Sequence, residues 1–135
     1  TIIIRSLPKV SGNHVQLAQL FSNLISNSLK FSKEQPVITI GAAIVDRSRI
    51  ADAPRSLKDK KYYEISVADN GIGFEEQYSK VIFSLFQRLH GKQSYAGTGI
   101  GLALCRKIAE SHKGFINAVS EPGKGAKFNI YLPAE

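Results

Sequence analysis

The chain has 135 residues, 43% hydrophobic and 21% charged, which suffices for one globular core and is too short for two ordinary domains, so residues 1–135 read as one domain. Its single cysteine, Cys105, excludes an internal disulfide framework and fits a reducing, cytoplasmic interior; no apolar run approaches the ~20 residues that span a bilayer, and the opening "TIIIRSLP" is too short and wrongly flanked for a signal peptide. The net charge of +7 is spread along the chain, with one local run at Arg55, Lys58, Lys60 and Lys61, which describes a solvated basic surface or a field for a polyanionic nucleotide better than a nucleic-acid footprint.

The chain begins at Thr1, as a piece of a longer protein would, and its first β-rich run is Ile2 to Ile4. From Asn13 to Ser32, Leu17, Leu20, Phe21, Leu24, Ile25 and Leu29 recur at steps of three and four, the period of a helix with one buried face. Ser11 or Asn13 can cap its start, and Pro36 stops it from running on. "PVITIGAAIV" and "YYEISVAD" read as two strands, joined by a polar, proline-containing connection expected to be mobile and dispensable to chemistry.

A second helix is expected from about Gly99 to His112 through Ile100, Leu104 and Ile108, stopped by Gly114. Phe115 to Ser120 and Ala126 to Leu132 then flank "EPGKG" as a hairpin, whose second strand alternates apolar and polar residues as a half-buried strand does. The order strand, helix, strand, strand, helix, strand, strand predicts an α+β fold. It would be a two-layer sandwich with a mixed, mainly antiparallel sheet of about five strands and helices on one face.

Three groups of residues carry chemistry. On the first helix, Asn23 to Asn27 is about 40° of rotation and Asn27 to Lys30 about 60° the other way, so the three share one side while the leucines face the core. A carboxamide oxygen there suits magnesium, which takes hard oxygen ligands and keeps several waters, and Lys30 can meet a phosphate as a point charge.

Asp69 ends a strand before Gly71 and Gly73, in "VADNGIGF". An ionised carboxylate only accepts hydrogen bonds, so it can pair with the exocyclic amine of adenine and would face the carbonyl of guanine unfavourably. The glycine run Gly97, Gly99 and Gly101 opens a helix, where backbone amides and the helix dipole favour an anion. It is neither the dinucleotide fingerprint, since Leu104 stands where that motif needs a small residue, nor a P-loop. Each group alone has an ordinary reading: a solvated Asn pair, an Asp-Asn-Gly turn, a flexible glycine run.

Together, "NLISNSLKF" (23–31), "DNGIGF" (69–74), "VIFSLFQRLH" (81–90), "GTGIGLALCRKIAESHKG" (97–114) and "EPGKGAKFNIYLP" (121–133) resemble the N box, first glycine box, F box, second glycine box and closing hairpin of the catalytic ATP-binding domain of sensor histidine kinases. This is the Bergerat fold of the GHKL ATPase and kinase superfamily, and "FQRLH" with a short lid is most similar to phytochrome-like members. The resemblance implies ATP and Mg²⁺ as cofactors, with Asn27 as metal ligand and Asn23, Asn27, Lys30, Phe31, Asp69, Gly71 and Gly73 around the nucleotide. Gly97, Thr98, Gly99, Gly101 and Leu102 would bound its phosphate end, residues 87–96 would form the lid, and Arg88 and Lys30 would serve transfer of the γ-phosphate.

Two positions depart from the family pattern: Asn13 stands where many relatives carry Asp, and Ser28 where Ala is usual. Nothing resembles a phosphoacceptor motif, and His14, His90 and His112 read as structural or surface residues. The resemblance therefore implies partners outside this chain, a helical dimerisation and phosphoacceptor domain and a response regulator receiver domain, with no nucleic acid and no membrane contact. The alternatives are an ATP-hydrolysing clamp domain of the same superfamily, which needs a glutamate where Asn23 stands, and a basic nucleic-acid-binding module, which leaves Asp69 and Asn27 without a role.

Overall fold

A computed structural model describes residues 1–32, 35–51, 53–79, 82, 83 and 101–134. Five strands form one sheet: β1 (Ile2–Ile4), β2 (Ile38–Asp46), β3 (Lys61–Asp69), β4 (Phe115–Glu121) and β5 (Gly125–Pro133), in the order β1-β2-β3-β5-β4. The β1 and β2 pair is parallel and the other three pairs are antiparallel, which makes the sheet mixed and mainly antiparallel as expected.

Helices α1 (His14–Lys30) and α2 (Gly101–Ser111) cover one face. Their apolar stripes, with Leu20 and Leu24 from α1 and Cys105 and Ile108 from α2, meet the inward residues of β2, β3 and β5 in one core that also holds Ile82 and Phe83. Asn13 caps α1, its Oδ1 accepting the Gln16 amide at 3.0 Å. The helix ends at Lys30, short of Ser32, and the Phe31 amide closes it on the Asn27 carbonyl at 3.2 Å.

The end of α2 differs from expectation. Lys113, not Gly114, takes the left-handed conformation (φ 61°), while the Gly114 amide reaches back to the Ala109 carbonyl at 2.9 Å and the Lys113 amide to Glu110 at 3.0 Å, a Schellman pattern. Glycine at 114 answers a different need: a Cβ there would stand 2.0 Å from the Tyr131 carbonyl oxygen of β5.

The polar connection between β2 and β3 also departs from expectation. Its described residues form a short 3₁₀ turn (Arg47–Arg49) and a strap whose Ile50 and Leu57 are buried against Tyr62 and Tyr131 on the sheet face opposite the helices. Phe115 stacks on Tyr131 there, with ring centroids 6.4 Å apart. For the same reason β5 is not half-buried. Asn129 and Tyr131 on its outer side are as hidden as Phe128 and Ile130 on its inner side, because β5 lies between two strands with the strap above it. Asn129 is satisfied in place, accepting from the Ser66 hydroxyl at 2.8 Å and donating to Asn117 at 3.0 Å.

Candidate functional site at the end of strand β3

Asp69 is the last residue of β3, and the chain beyond it folds back onto both α1 and the β4–β5 hairpin. Its Oδ1 accepts two backbone hydrogen bonds, from Gly71 at 2.9 Å and from Ala126 of β5 at 3.1 Å. Two amides on one oxygen orient the carboxylate, and among the described residues Oδ2 has no protein partner. The following Asn70 ties the end of β3 to the approach to β2, accepting from the Val37 amide at 2.8 Å and donating to the Gln35 carbonyl at 3.1 Å.

The two glycines of this turn serve close backbone approach. At Gly71 a Cβ would stand 2.3 Å from the Phe31 carbonyl oxygen, which accepts the Ile72 amide at 3.0 Å. This contact places the Asp69 turn against the last turn of α1. Gly73 has φ +66°, and a Cβ there would stand 2.2 Å from the Glu121 carbonyl oxygen.

Between these elements lies a small, partly open cleft lined by Asn27, Phe31, Asp69, Gly73, Phe74, Ala126 and Phe128. Its floor is aromatic: Phe128 lies 6.4 Å from Phe74 and 6.2 Å, edge to face, from Phe83. The lining is apolar apart from one carboxylate held by two amides and one carboxamide.

Of the polar stripe on α1, only Asn27 lines this cleft among the described residues. Asn23 lies outside this lining, near the buried Cys105 of α2, whose thiol donates to the Leu20 carbonyl at 3.6 Å; burial pushes that thiol up to about 12. Lys30 ends α1 and is exposed. The even stripe read from helical geometry thus fans out over three environments, because α2 packs against one end of it.

At the other end of the expected site, Gly101 is the first residue of α2 and would meet nothing within 4 Å if it carried a Cβ, and Leu102 is half-buried against the core. Arg88, Gly97, Thr98 and Gly99, the lid residues 87–96, and the F box apart from Ile82 and Phe83 lie outside the described residues.

The structure adds residues that were not among the expected site residues. Ala126 contributes through its amide, which no side-chain pattern signals. Gly125 has φ +106°, and a Cβ there would stand 2.1 Å from the Asp69 carbonyl oxygen. Ser120 is buried beside the same turn; a small hydroxyl on the inward side of β4 just before a glycine turn was the available signal.

Residues 12–135 match the family model described as histidine kinase-, DNA gyrase B- and HSP90-like ATPase. The chain belongs to this ATPase family. Cyanobacterial phytochrome A of Nostoc sp. is 46% identical to it over 128 residues, 94% of this chain and 15% of that protein. Adaptive-response sensory kinase SasA of Synechocystis sp. is 30% identical, over 97% of this chain and 31% of that protein.

Among solved structures, the mycobacterial sensor histidine kinase MprB superposes with a TM-score of 0.80 at 21% identity, covering 98% of this chain and 82% of that one, a likeness of fold. The structure titled full-length ShkA in complex with AMPPNP matches at 0.71 with 25% identity, covering 98% of this chain and 25% of that one. The chain is thus an ATP-binding catalytic domain of the sensor histidine kinase type, and it spans a minor part of the length of these curated relatives. Among the described residues of this ATPase-family domain, no helix is long and apolar enough to cross a membrane.

Proposed function

We propose that residues 1–135 act as one catalytic unit that binds Mg-ATP and presents the γ-phosphate to a histidine on a separate helical dimerisation domain, from which it passes to a response regulator receiver domain, all in the cytoplasm. The observation that carries this reading is the Asp69 carboxylate, held by the Gly71 and Ala126 amides at the wall of an aromatic cleft whose rim carries Asn27. Oδ2 then accepts the adenine amine, with Phe31 and Gly73 beside the base.

Asn27 is a fitting Mg²⁺ ligand, since a neutral amide oxygen suits an ion whose remaining ligands are phosphate oxygens and water. Bound Mg²⁺ supplies charge neutralisation on the phosphates. Lys30 and Arg88 add positive charge for the transfer, and Asn23 with the glycines 97, 99 and 101, Thr98 and Leu102 border the phosphate end. The imidazole nitrogen of the acceptor is its own nucleophile, so positioning and charge neutralisation suffice and no general base is needed.

Calorimetric titration with ADP tests the site. Asp69→Asn should weaken binding by about 10-fold to 100-fold with and without Mg²⁺, the range for a lost hydrogen bond to a charged group. Asn27→Ala should remove chiefly the Mg²⁺-dependent part of the affinity. Unchanged affinity in both variants would refute the assignment, and acid-labile phosphohistidine on an added helical-hairpin fragment would establish the transfer.

The clamp-ATPase alternative is disfavoured by Asn23, a carboxamide that cannot take a proton from water. ATP hydrolysis by this domain alone should therefore be far below the ~10 s⁻¹ typical of enzymes, in a phosphate-release assay.

A further inference from the structure

Ser120 is 5% exposed, the last inward-facing residue of β4, and its hydroxyl is engaged in two directions. It accepts the Phe74 amide at 2.8 Å and donates to the Gly125 carbonyl at 2.8 Å. Phe74 ends the turn that supplies the Gly71 amide to Asp69, and Gly125 precedes Ala126, which supplies the other amide. The hydroxyl therefore bridges the two backbone segments whose N–H groups meet on Asp69 Oδ1. The Gly123 amide on the Ile72 carbonyl, at 2.7 Å, is a second tie between the same segments, and Gly73 packs so closely on Ser120 and Glu121 that a Cβ there would clash with both.

We propose that Ser120 is a positioning residue for adenine recognition: by holding the Asp69 turn and the β4–β5 hairpin at one separation, its hydroxyl fixes the direction in which Oδ2 of Asp69 points. The proposal rests on the reading of Asp69 as the adenine acceptor. A carboxylate selects an amine over a carbonyl only while it is held in the plane of the base, so loosening its two amide anchors degrades discrimination more than it degrades general stacking in the aromatic cleft.

The test compares ADP with IDP, whose base carries a carbonyl in place of the adenine amine, by calorimetry well below the melting midpoint of each protein. Wild type should prefer ADP, and Asp69→Asn should lose the preference. Ser120→Ala should lower the preference by about fivefold or more while leaving the Mg²⁺-dependent gain in affinity intact, and should add little in the Asp69→Asn background, as coupled sites do. An ADP/IDP ratio unchanged in Ser120→Ala, whatever its melting temperature, overturns the role of Ser120 and leaves that of Asp69 standing. No preference in wild type, or one retained in Asp69→Asn, overturns both. Should Ser120→Ala not fold, Ser120→Thr retains the hydroxyl and should retain the ratio, whereas Ser120→Cys, with its weak donor, should lower it; a Ser120→Cys ratio equal to wild type overturns the proposal.

Discussion

Asp69 lines the cleft with a carboxylate whose Oδ1 is held by the Gly71 and Ala126 amides, and in the proposed function its Oδ2 takes the adenine amine. The residues that make this possible are small ones in tight places, and their identities follow from particular distances. Lys113 marks the contrast. It occupies a left-handed conformation that glycine adopts freely, while Gly114 next to it is glycine because of the Tyr131 carbonyl. Lys113→Gly should stabilise the domain by about 0.5–1 kcal/mol through relief of that conformation, visible as a higher urea midpoint at unchanged slope. Gly114→Ala should do the reverse.

At the scale of elements, α1 and α2 are coupled at two points of their contact. In the core the link is the Cys105 thiol on the Leu20 carbonyl at 3.6 Å; at the far end it is His112, whose Nδ1–H donates to the Ile108 carbonyl at 2.8 Å while Nε2 accepts the Asn13 amide at 2.9 Å. His112 thereby ties the last turn of α2 to the cap of α1, a structural role.

The strap is the other element with an assigned task. It covers the outer face near the start of β3, and Tyr62 beneath it lies seven residues, roughly 23 Å at strand rise, from Asp69. Leu57→Ala should therefore cost about 2–4 kcal/mol of stability by opening a cavity in the small outer core, with ADP affinity within about twofold of wild type in the folded protein. Denaturant unfolding and calorimetry on the same sample separate the two effects.

For the whole molecule, two buried acids make alkaline pH the side from which the fold weakens. Burial raises the Cys105 thiol from 9.0 to about 12, and burial, then the hydrogen bond to Glu64 and its charge, raise the Tyr131 hydroxyl above its usual 10.0. Both groups keep their protons in the fold longer than in the unfolded chain. The stability they contribute is whole below pH 9 and is lost as pH rises toward 12, at about a factor of ten in the unfolding equilibrium per pH unit for Cys105 alone. Cys105→Ala should flatten the decline of the urea midpoint between pH 9 and 10, before Tyr131 enters.

Much of the molecule was legible in the linear chain, for reasons of period and motif. The apolar stripe of α1 and the alternation in the strands follow from 3.6-residue and two-residue repeats, which depend only on local geometry. The order of strands and helices then limits the architecture to a mixed sheet covered by helices. Asp69, Asn27 and Phe31 were found as motif residues and do line one cleft.

The strap, the burial of Asn129 and Tyr131, and the absence of Asn23 from the cleft lining were not legible. Each depends on which distant segment lies across a surface, and polar residues such as those of the β2–β3 connection look the same whether they fold over a sheet or not. What the sequence by itself determined, then, is the set of elements and the chemical groups they carry, because both are written in local spacing. What only the tertiary structure decided is which amides orient Asp69 and which hydroxyl joins them. Those partners stand 57 residues apart between Asp69 and Ala126 and 46 between Phe74 and Ser120, and they meet only when the sheet and hairpin have closed.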